Sequence, residues 1–202
     1  MVRGKVIDLL QRHVLQLPAS PRTVTLRVVD LKRSLNGAIA GGLAAAVWAA
    51  QQPGDKRAFK SGYDDVELLG KLATRGDAWP AAGLALHMGN GALFGAVYAQ
   101  LRPLLPGPPV AGAVGMAMAE HAALWPLGRL TDRYHPARRD MAPLTGNPRA
   151  FAQATWRHLL FGVVLGELER RLNADRHEEP PPVPASSNGH GNLEMAVGAA
   201  ES

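Results

Sequence analysis

The 202-residue sequence contains no cysteine, and aromatic residues make up only 5% of it. The absence of cysteine excludes a disulfide framework, a thiolate metal site and a cysteine nucleophile. Serine never stands in a nucleophile-elbow pattern, and no glycine-rich stretch is followed by the Gly-Lys-Ser or Gly-Lys-Thr of a phosphate loop. Any chemistry must therefore come from histidine, from carboxylates or from a cofactor.

The sequence also lacks a strong overall hydropathy or charge, since the mean hydropathy is -0.07 and the formal net charge is +5. The basic residues form no single patch. They stand beside uncharged runs, as in Lys32-Arg33 and Lys56-Arg57. This placement suits anionic lipid headgroups better than a nucleic acid, so the expected partner is the lipid bilayer.

Four runs of the sequence contain few charged residues and have about the 20 residues that a helix needs to cross a hydrocarbon core of about 30 Å. The first two contain no Asp, Glu, Lys or Arg, whereas the third includes Glu120 and the fourth includes Arg157. The pattern predicts an all-α fold with a four-helix membrane domain. The predicted domain covers residues 34–172, with spans at about 34–54, 78–101, 109–128 and 151–168.

Small residues recur at every fourth position within the spans. This spacing lets helix backbones approach closely where no hydrophobic effect drives association. A buried water-soluble bundle is the alternative, but a glycine inside a soluble helix costs about 1 kcal/mol relative to alanine. The predicted helix-packing residues, which would also support a homo-oligomer, are Gly37, Gly41, Gly91, Gly95, Gly115, Gly162 and Gly166.

All four tryptophans lie near the ends of the predicted spans. In an up-down-up-down bundle these ends share one face of the membrane. The predicted interfacial belt consists of Trp48, Trp79, Trp125 and Trp156.

The second and fourth spans also resemble each other, because residues 93–101 align without a gap on residues 160–168. The bundle is therefore interpreted as a doubled two-helix hairpin. A chance match between runs rich in alanine and glycine is the alternative.

The two ends of the chain differ in composition from the predicted membrane domain. Apolar residues at helical spacing beside basic ones predict a basic amphipathic segment at 1–33. The proline-rich stretch predicts a disordered tail at 173–202. Lys and Arg are almost evenly divided between the two sides, and the basic N-terminus favours placing both termini in the cytoplasm.

Ionisable residues inside a membrane span are costly and usually face the bundle interior. With a rise of about 1.5 Å per residue, those in the last three spans fall at similar depths. They predict one polar layer, with Glu120 paired to Arg157, and its members are His87, Asn90, Glu120, His121, Arg157 and His158.

Three interpretations of this layer stay open. It can be a structural clamp between the helices, a proton-linked or small-solute pathway, or a site where histidines hold a metal or haem. No histidine spacing of the metalloprotease kind occurs. No metal ligand, cofactor or catalytic residue is therefore assigned.

Three short motifs resemble the YagU-like family of small bacterial inner-membrane proteins. They are residues 48–53 (Trp-Ala-Ala-Gln-Gln-Pro) with Arg57, residues 121–127 (His-Ala-Ala-Leu-Trp-Pro-Leu), and His158-Leu159 with Glu167, Arg170 and Arg171. Members have about four spans and no established molecular activity. The resemblance implies a multi-pass protein of the bacterial inner membrane, although the loop between the first two spans departs from the family by being compact and highly charged.

The sequence thus predicts a non-enzymatic integral membrane protein of unknown molecular role. The alternatives are a small-solute or proton-linked transporter or channel, a membrane protein with histidine-bound metal or haem, and a soluble helical domain that binds a partner.

Overall fold

The computed structural model describes residues 29–177. This part of the chain contains helices and no strand, which confirms the all-α prediction. Two short 3-10 turns lie at Arg102–Leu104 and Trp125–Leu127. The helices are α1 (Leu31–Phe59), α2 (Asp65–Ala73), α3 (Trp79–Leu101), α4 (Pro109–Leu124), α5 (Gly128–Tyr134), α6 (Pro148–Leu172) and α7 (Ala174–His177).

Local sequence explains where the long helices begin and end. The side chain of Asp30 accepts a hydrogen bond from the backbone N–H of Arg33, and Asn147 caps α6 in the same way. Prolines occupy the first turns of α3, α4 and α6, where the missing N–H does no harm. Helix α1 ends at Phe59, and the capping residue Lys60 has a left-handed φ of 50°, which lets its N–H donate to a carbonyl of the last turn.

The four long helices form an antiparallel bundle. Helix α1 packs against both α3 and α6, and α4 packs against the other side of α6. Helix α2 lies across the start of α3. Few backbone positions of α3 and α4 lie close together, although the two helices follow each other along the chain. Tyr98 of α3 donates a hydrogen bond to the carbonyl of Pro109 of α4 at 2.5 Å, and a space lined by both helices remains beyond this contact.

Glycines bring the backbones of α1 and α3 into direct contact. A Cβ added to Gly41 would lie 2.9 Å from the carbonyl carbon of Gly91, and one added to Gly95 would lie 2.9 Å from the Cα of Gly41. Gly37 makes a similar approach to Gly95. This contact therefore has no room for a side chain at any of the four positions.

The pair formed by α4 and α6 uses a comparable contact. Cβ atoms added to Gly162 and Gly166 would each lie 2.6 Å from a Cα atom of α4, that of Val114 and that of Val110. Gly115 takes no part, because it is exposed and nothing lies within 4 Å of an added Cβ. The prediction that Gly115 packs within the bundle is wrong, since the neighbouring Val114 lies on the face of α4 that meets α6.

The bundle has a partly reversed polarity, because its interior combines apolar and polar side chains and its outer faces carry many large apolar ones. Alanines fill much of the interior, and the largest fully buried side chains include Arg157, Gln153, Glu169 and Asn173. Large apolar side chains lie on the outer faces instead. On α1 they are Leu35, Ile39, Leu43 and Val47, each at least 41% exposed.

None of the helices in residues 29–177 is both long and apolar enough to cross a membrane. The four-span arrangement and the duplication of a hairpin therefore stay predictions. The predicted amphipathic segment and tail lie mainly in residues 1–28 and 178–202, outside the described residues. At their inner edges the boundaries shift, since α1 already begins at Leu31 and α7 occupies Ala174–His177.

Candidate functional site

Arg157 is fully buried and makes hydrogen bonds to two carboxylates. Its Nε and Nη2 donate to the two oxygens of Asp55, at 2.5 and 2.7 Å, and its Nη1 donates to Asp65 at 2.6 Å. Nη2 also donates to the backbone carbonyl of Tyr63, at 3.2 Å. We call Arg157, Asp55 and Asp65 the ionic cluster. It joins α6 to the end of α1 and the start of α2, and one guanidinium against two carboxylates leaves it with one net negative charge.

Neutral donors complete the hydrogen bonding of the two carboxylates. Gln153 and Gln51 donate to Asp55 at 2.7 and 2.6 Å, while the indole N–H of Trp48 donates to Asp65 at 3.0 Å. The hydroxyl of Tyr63 also donates to Asp65. A buried charge is tolerated only when it is paired and hydrogen-bonded in this way.

The pKa values near the ionic cluster follow from these contacts. Burial alone would raise the pKa of Asp55, but hydrogen bonds from Arg157 and Gln153 hold that pKa below its usual value. Burial, together with the negative charge of Asp65, raises the pKa of Tyr63 well above its usual value. Asp55 is therefore held as a carboxylate, and Tyr63 remains a hydroxyl donor.

The predicted pairing of Glu120 with Arg157 is wrong. Arg157 lies on the face of α6 that meets α1, and its partners come from α1 and the start of α2. Glu120 lies on α4, and its closest basic group is His158, whose Nε2 is 3.9 Å from its Oε2. Helix α6 thus presents its arginine and its histidine to different neighbours.

A cavity of about 350 Å³ lies between α3 and α4. Residues of α2 and α5 line it at the end where α3 begins, and Trp48 of α1 and Phe161 of α6 form part of its wall. Arg157 is not among its lining residues but reaches the wall through Asp65. The other five members of the predicted polar layer line the cavity: His87, Asn90, Glu120, His121 and His158.

The three histidines lie close together around aromatic rings. The centre of the Trp48 ring is 5.2 Å from that of His87 and 4.8 Å from that of His158. The rings of His121 and His158 are 4.6 Å apart. His121 Nε2 is 3.0 Å from the hydroxyl of Thr155.

The hydrogen bonds of the histidines show which ring nitrogens are available. Nδ1 of His158 lies 2.7 Å from the carbonyl oxygen of Ala154, which can only accept, so this nitrogen carries a proton. His87 is 93% buried, and its Nε2 has no hydrogen-bond partner among the described residues. A buried polar atom without a partner is unfavourable. Nε2 of His87 is therefore an unsatisfied polar atom that solvent does not reach.

The predicted tryptophan belt is only partly at the periphery of the bundle. Trp48 is 6% exposed and lies in the interior, where Asp65 accepts its N–H, so its interfacial prediction is wrong. Trp125 lines the cavity. Trp79 and Trp156 lie nearer the surface, Trp79 within 5.5 Å of Lys71 and Trp156 44% exposed.

Sequence reasoning missed half of this site. Asp55, Tyr63 and Asp65 follow the first uncharged run, in the short charged loop that drew no functional assignment. Gln153 was overlooked within the fourth run, four residues before Arg157 and on the same helix face. The position of Asp55, one residue after the first span, could have identified it, because a carboxylate beside an apolar span is stabilised by a basic partner such as Arg157.

The structure identifies no metal centre and the comparisons identify no relative. Among residues 29–177, no group of three or more His, Asp or Glu side chains is placed to hold a metal ion. No family model, no curated protein and no solved structure matches the chain. The resemblance to the YagU-like family therefore stays a prediction.

Proposed function

We propose that this chain is an integral membrane protein with four spans that binds a small solute in the cavity between α3 and α4. The partly reversed polarity of the bundle carries the proposal. A helix packed in water presents its apolar side inward. Helix α1 does the opposite, because Leu35, Ile39, Leu43 and Val47 project outward while Gly37 and Gly41 face its neighbour.

The other long helices also expose large apolar side chains. Those on α3 include Leu84, Leu93 and Val97, and those on α6 include Leu159 and Val163. Helices α1, α3 and α6 have 29, 23 and 25 residues, which at 1.5 Å per residue is about 35 Å or more. That length matches a hydrocarbon core of about 30 Å. Glycine and alanine on the packed faces lower the average hydropathy without making the outer faces polar.

The ionic cluster and the cavity have separate roles in this proposal. The ionic cluster is a structural clamp, because its hydrogen-bonding groups are directed at one another and at neutral donors. The cavity is lined by polar side chains that are not part of the ionic cluster, above all Asn90 and Glu120. A concave, mainly apolar space with a few convergent polar groups is the usual form of a small-molecule site.

Membrane fractionation tests the first half of the proposal. We expect the full chain to stay in the membrane pellet after washing with alkaline carbonate, because exposed leucine and valine faces need lipid. Release into the supernatant would overturn the membrane assignment.

We further propose the bacterial inner membrane, with both termini in the cytoplasm. A reporter that is active only outside the cytoplasm can be fused to the C-terminus. Activity of this fusion would overturn that orientation.

A second copy of the chain is the partner that we propose. Ala111, Gly115 and Ala119 are exposed at every fourth position along α4, a spacing typical of contacts between membrane helices. Crosslinking of protein in native membranes should give a dimer, and Gly115→Leu should reduce it. If both the unchanged protein and Gly115→Leu gave only monomer after crosslinking, self-association through this face would be refuted.

Proton-linked transport is the second candidate function. The observation in its favour is that Glu120 and three histidines line the same cavity, because histidine titrates near neutral pH. Proton flux into liposomes under an imposed potassium diffusion potential tests this. Glu120→Gln should lower the flux, whereas a flux equal to that of empty liposomes would argue against a proton pathway.

A further inference from the structure

We propose that the cavity between α3 and α4 accepts a lipophilic organic cation, a flat aromatic molecule with a charged nitrogen, which enters from the bilayer. This inference rests on the proposed function and names the class of solute. It is carried by the shape, the aromatic walls, the charge and the opening of the cavity.

The size and the walls of the cavity fit an aromatic ligand. A volume of about 350 Å³ lies at the lower end of the usual range for small-molecule sites. Rings from four different parts of the chain line it, namely Trp48, Phe94, Trp125 and Phe161. Such rings stack on a flat ligand, and their faces attract a positive charge within about 6 Å.

The charge around the cavity favours a cation over an anion. Two carboxylates, Asp65 and Glu120, are among the described lining residues, and no lysine or arginine is. Arg157 neutralises only one of the two carboxylates that it contacts, Asp55 and Asp65. A cation would therefore meet net negative charge on the Asp65 side and the Glu120 carboxylate on the other, whereas an anion would be repelled from both.

The opening of the cavity suits a ligand that is dissolved in the membrane. Few backbone positions of α3 and α4 lie close together, and three of the residues that line the cavity, Asn90, Leu124 and Leu127, are exposed. In the proposed topology this gap faces lipid. An aromatic cation accumulates in the interfacial region of a bilayer and could enter between the two helices without passing through water.

A pair of isosteric probes tests the inference. The full chain, purified in detergent, is titrated with 1-methyl-4-phenylpyridinium and with its neutral isostere 4-methylbiphenyl at pH 8, and binding is followed by quenching of tryptophan fluorescence. We expect the cation to bind at least tenfold more tightly than the neutral probe. Equal affinity, or tighter binding of the neutral probe, would overturn the inference.

Variants at Glu120 locate the source of the preference. Glu120→Gln should reduce the affinity for the cation about tenfold, by the loss of one nearby charge at low dielectric, and leave the neutral probe unchanged. Glu120→Asp should keep the preference. Glu167→Gln is the matched control, since this carboxylate accepts hydrogen bonds from Arg170 and Arg171 and is not among the residues that line the cavity. A preference that survives Glu120→Gln would refute the role of this carboxylate.

Binding and membrane retention fail independently. A protein that resists carbonate washing but binds both probes equally keeps the membrane assignment and loses the cation site. A protein that is released by carbonate but still prefers the cation loses the membrane assignment alone. Each variant should show the same helical circular dichroism as the unchanged protein, so that a lost preference for the cationic probe cannot be caused by unfolding.

Discussion

Replacing Arg157 by leucine tests whether the ionic cluster clamps the bundle. The guanidinium is fully buried, and Asp55 and Asp65 accept hydrogen bonds from it. Without it, the two carboxylates would share an interior site that contains no cation. Removing one partner of a buried pair costs about 3–5 kcal/mol. We therefore expect Arg157→Leu to lower the free energy of unfolding by about that amount.

A double-mutant cycle with Asp55 separates the pair from its surroundings. Asp55 is 4% exposed, so its unpaired carboxylate accounts for most of the cost. The side chain of Asp65 is 15% exposed and can be hydrated. The double variant Arg157→Leu, Asp55→Asn should therefore be more stable than the sum of the two single losses predicts, by about 1–3 kcal/mol.

Unfolding of the purified protein in mixed detergent and SDS, followed by tryptophan fluorescence, measures these free energies. Lys32→Leu is the matched control, because Lys32 and Asp175 form an ion pair at 3.3 Å with side chains 62% and 60% exposed. A pair of this kind contributes little. The clamp is refuted if Arg157→Leu is no more harmful than Lys32→Leu, or if the losses at Arg157 and Asp55 simply add.

Three further predictions follow from single positions. The pKa of Asp55 is lower in the folded than in the unfolded protein. Its contribution to stability is therefore complete above the unfolded pKa of about 3.9 and is lost as the pH falls through the lower folded pKa. Asp55→Asn should reduce the fall of Tm at acidic pH in a plot of Tm against pH. Gly41→Leu should separate α1 from α3, because even a Cβ would meet the backbone of Gly91, and a collapse of Tm together with altered gel filtration would show it; an unchanged Tm would contradict the contact. Gly115→Ala, at a position that is open within a single chain, should instead raise the stability of the monomer by up to about 1 kcal/mol through helix propensity.

The positions of the helices followed from the sequence, because charge distribution and capping are local properties. The uncharged runs located α1, α3, α4 and α6 to within a few residues, although α4 ends at Leu124, before the predicted end of the third span. The spacing of Gly37, Gly41, Gly91 and Gly95 indicated close contacts, and these glycines lie where α1 meets α3. The depth estimate also brought five polar residues to one cavity.

The partners of the polar groups depended on the tertiary structure. Depth along a helix does not say which face a side chain occupies, and a rotation of 100° per residue sends Arg157 and His158 to different neighbours. Arg157 consequently meets Asp55 and Asp65, while Glu120 lies beside His158. The position of Trp48 in the interior also depends on the tertiary structure, because the start of α2 places Asp65 where it accepts the indole N–H. The sequence by itself determined the four long helices and the level of the polar groups along them, and the packing of α1, α4 and α6 decided which of those groups joined the ionic cluster and which line the cavity.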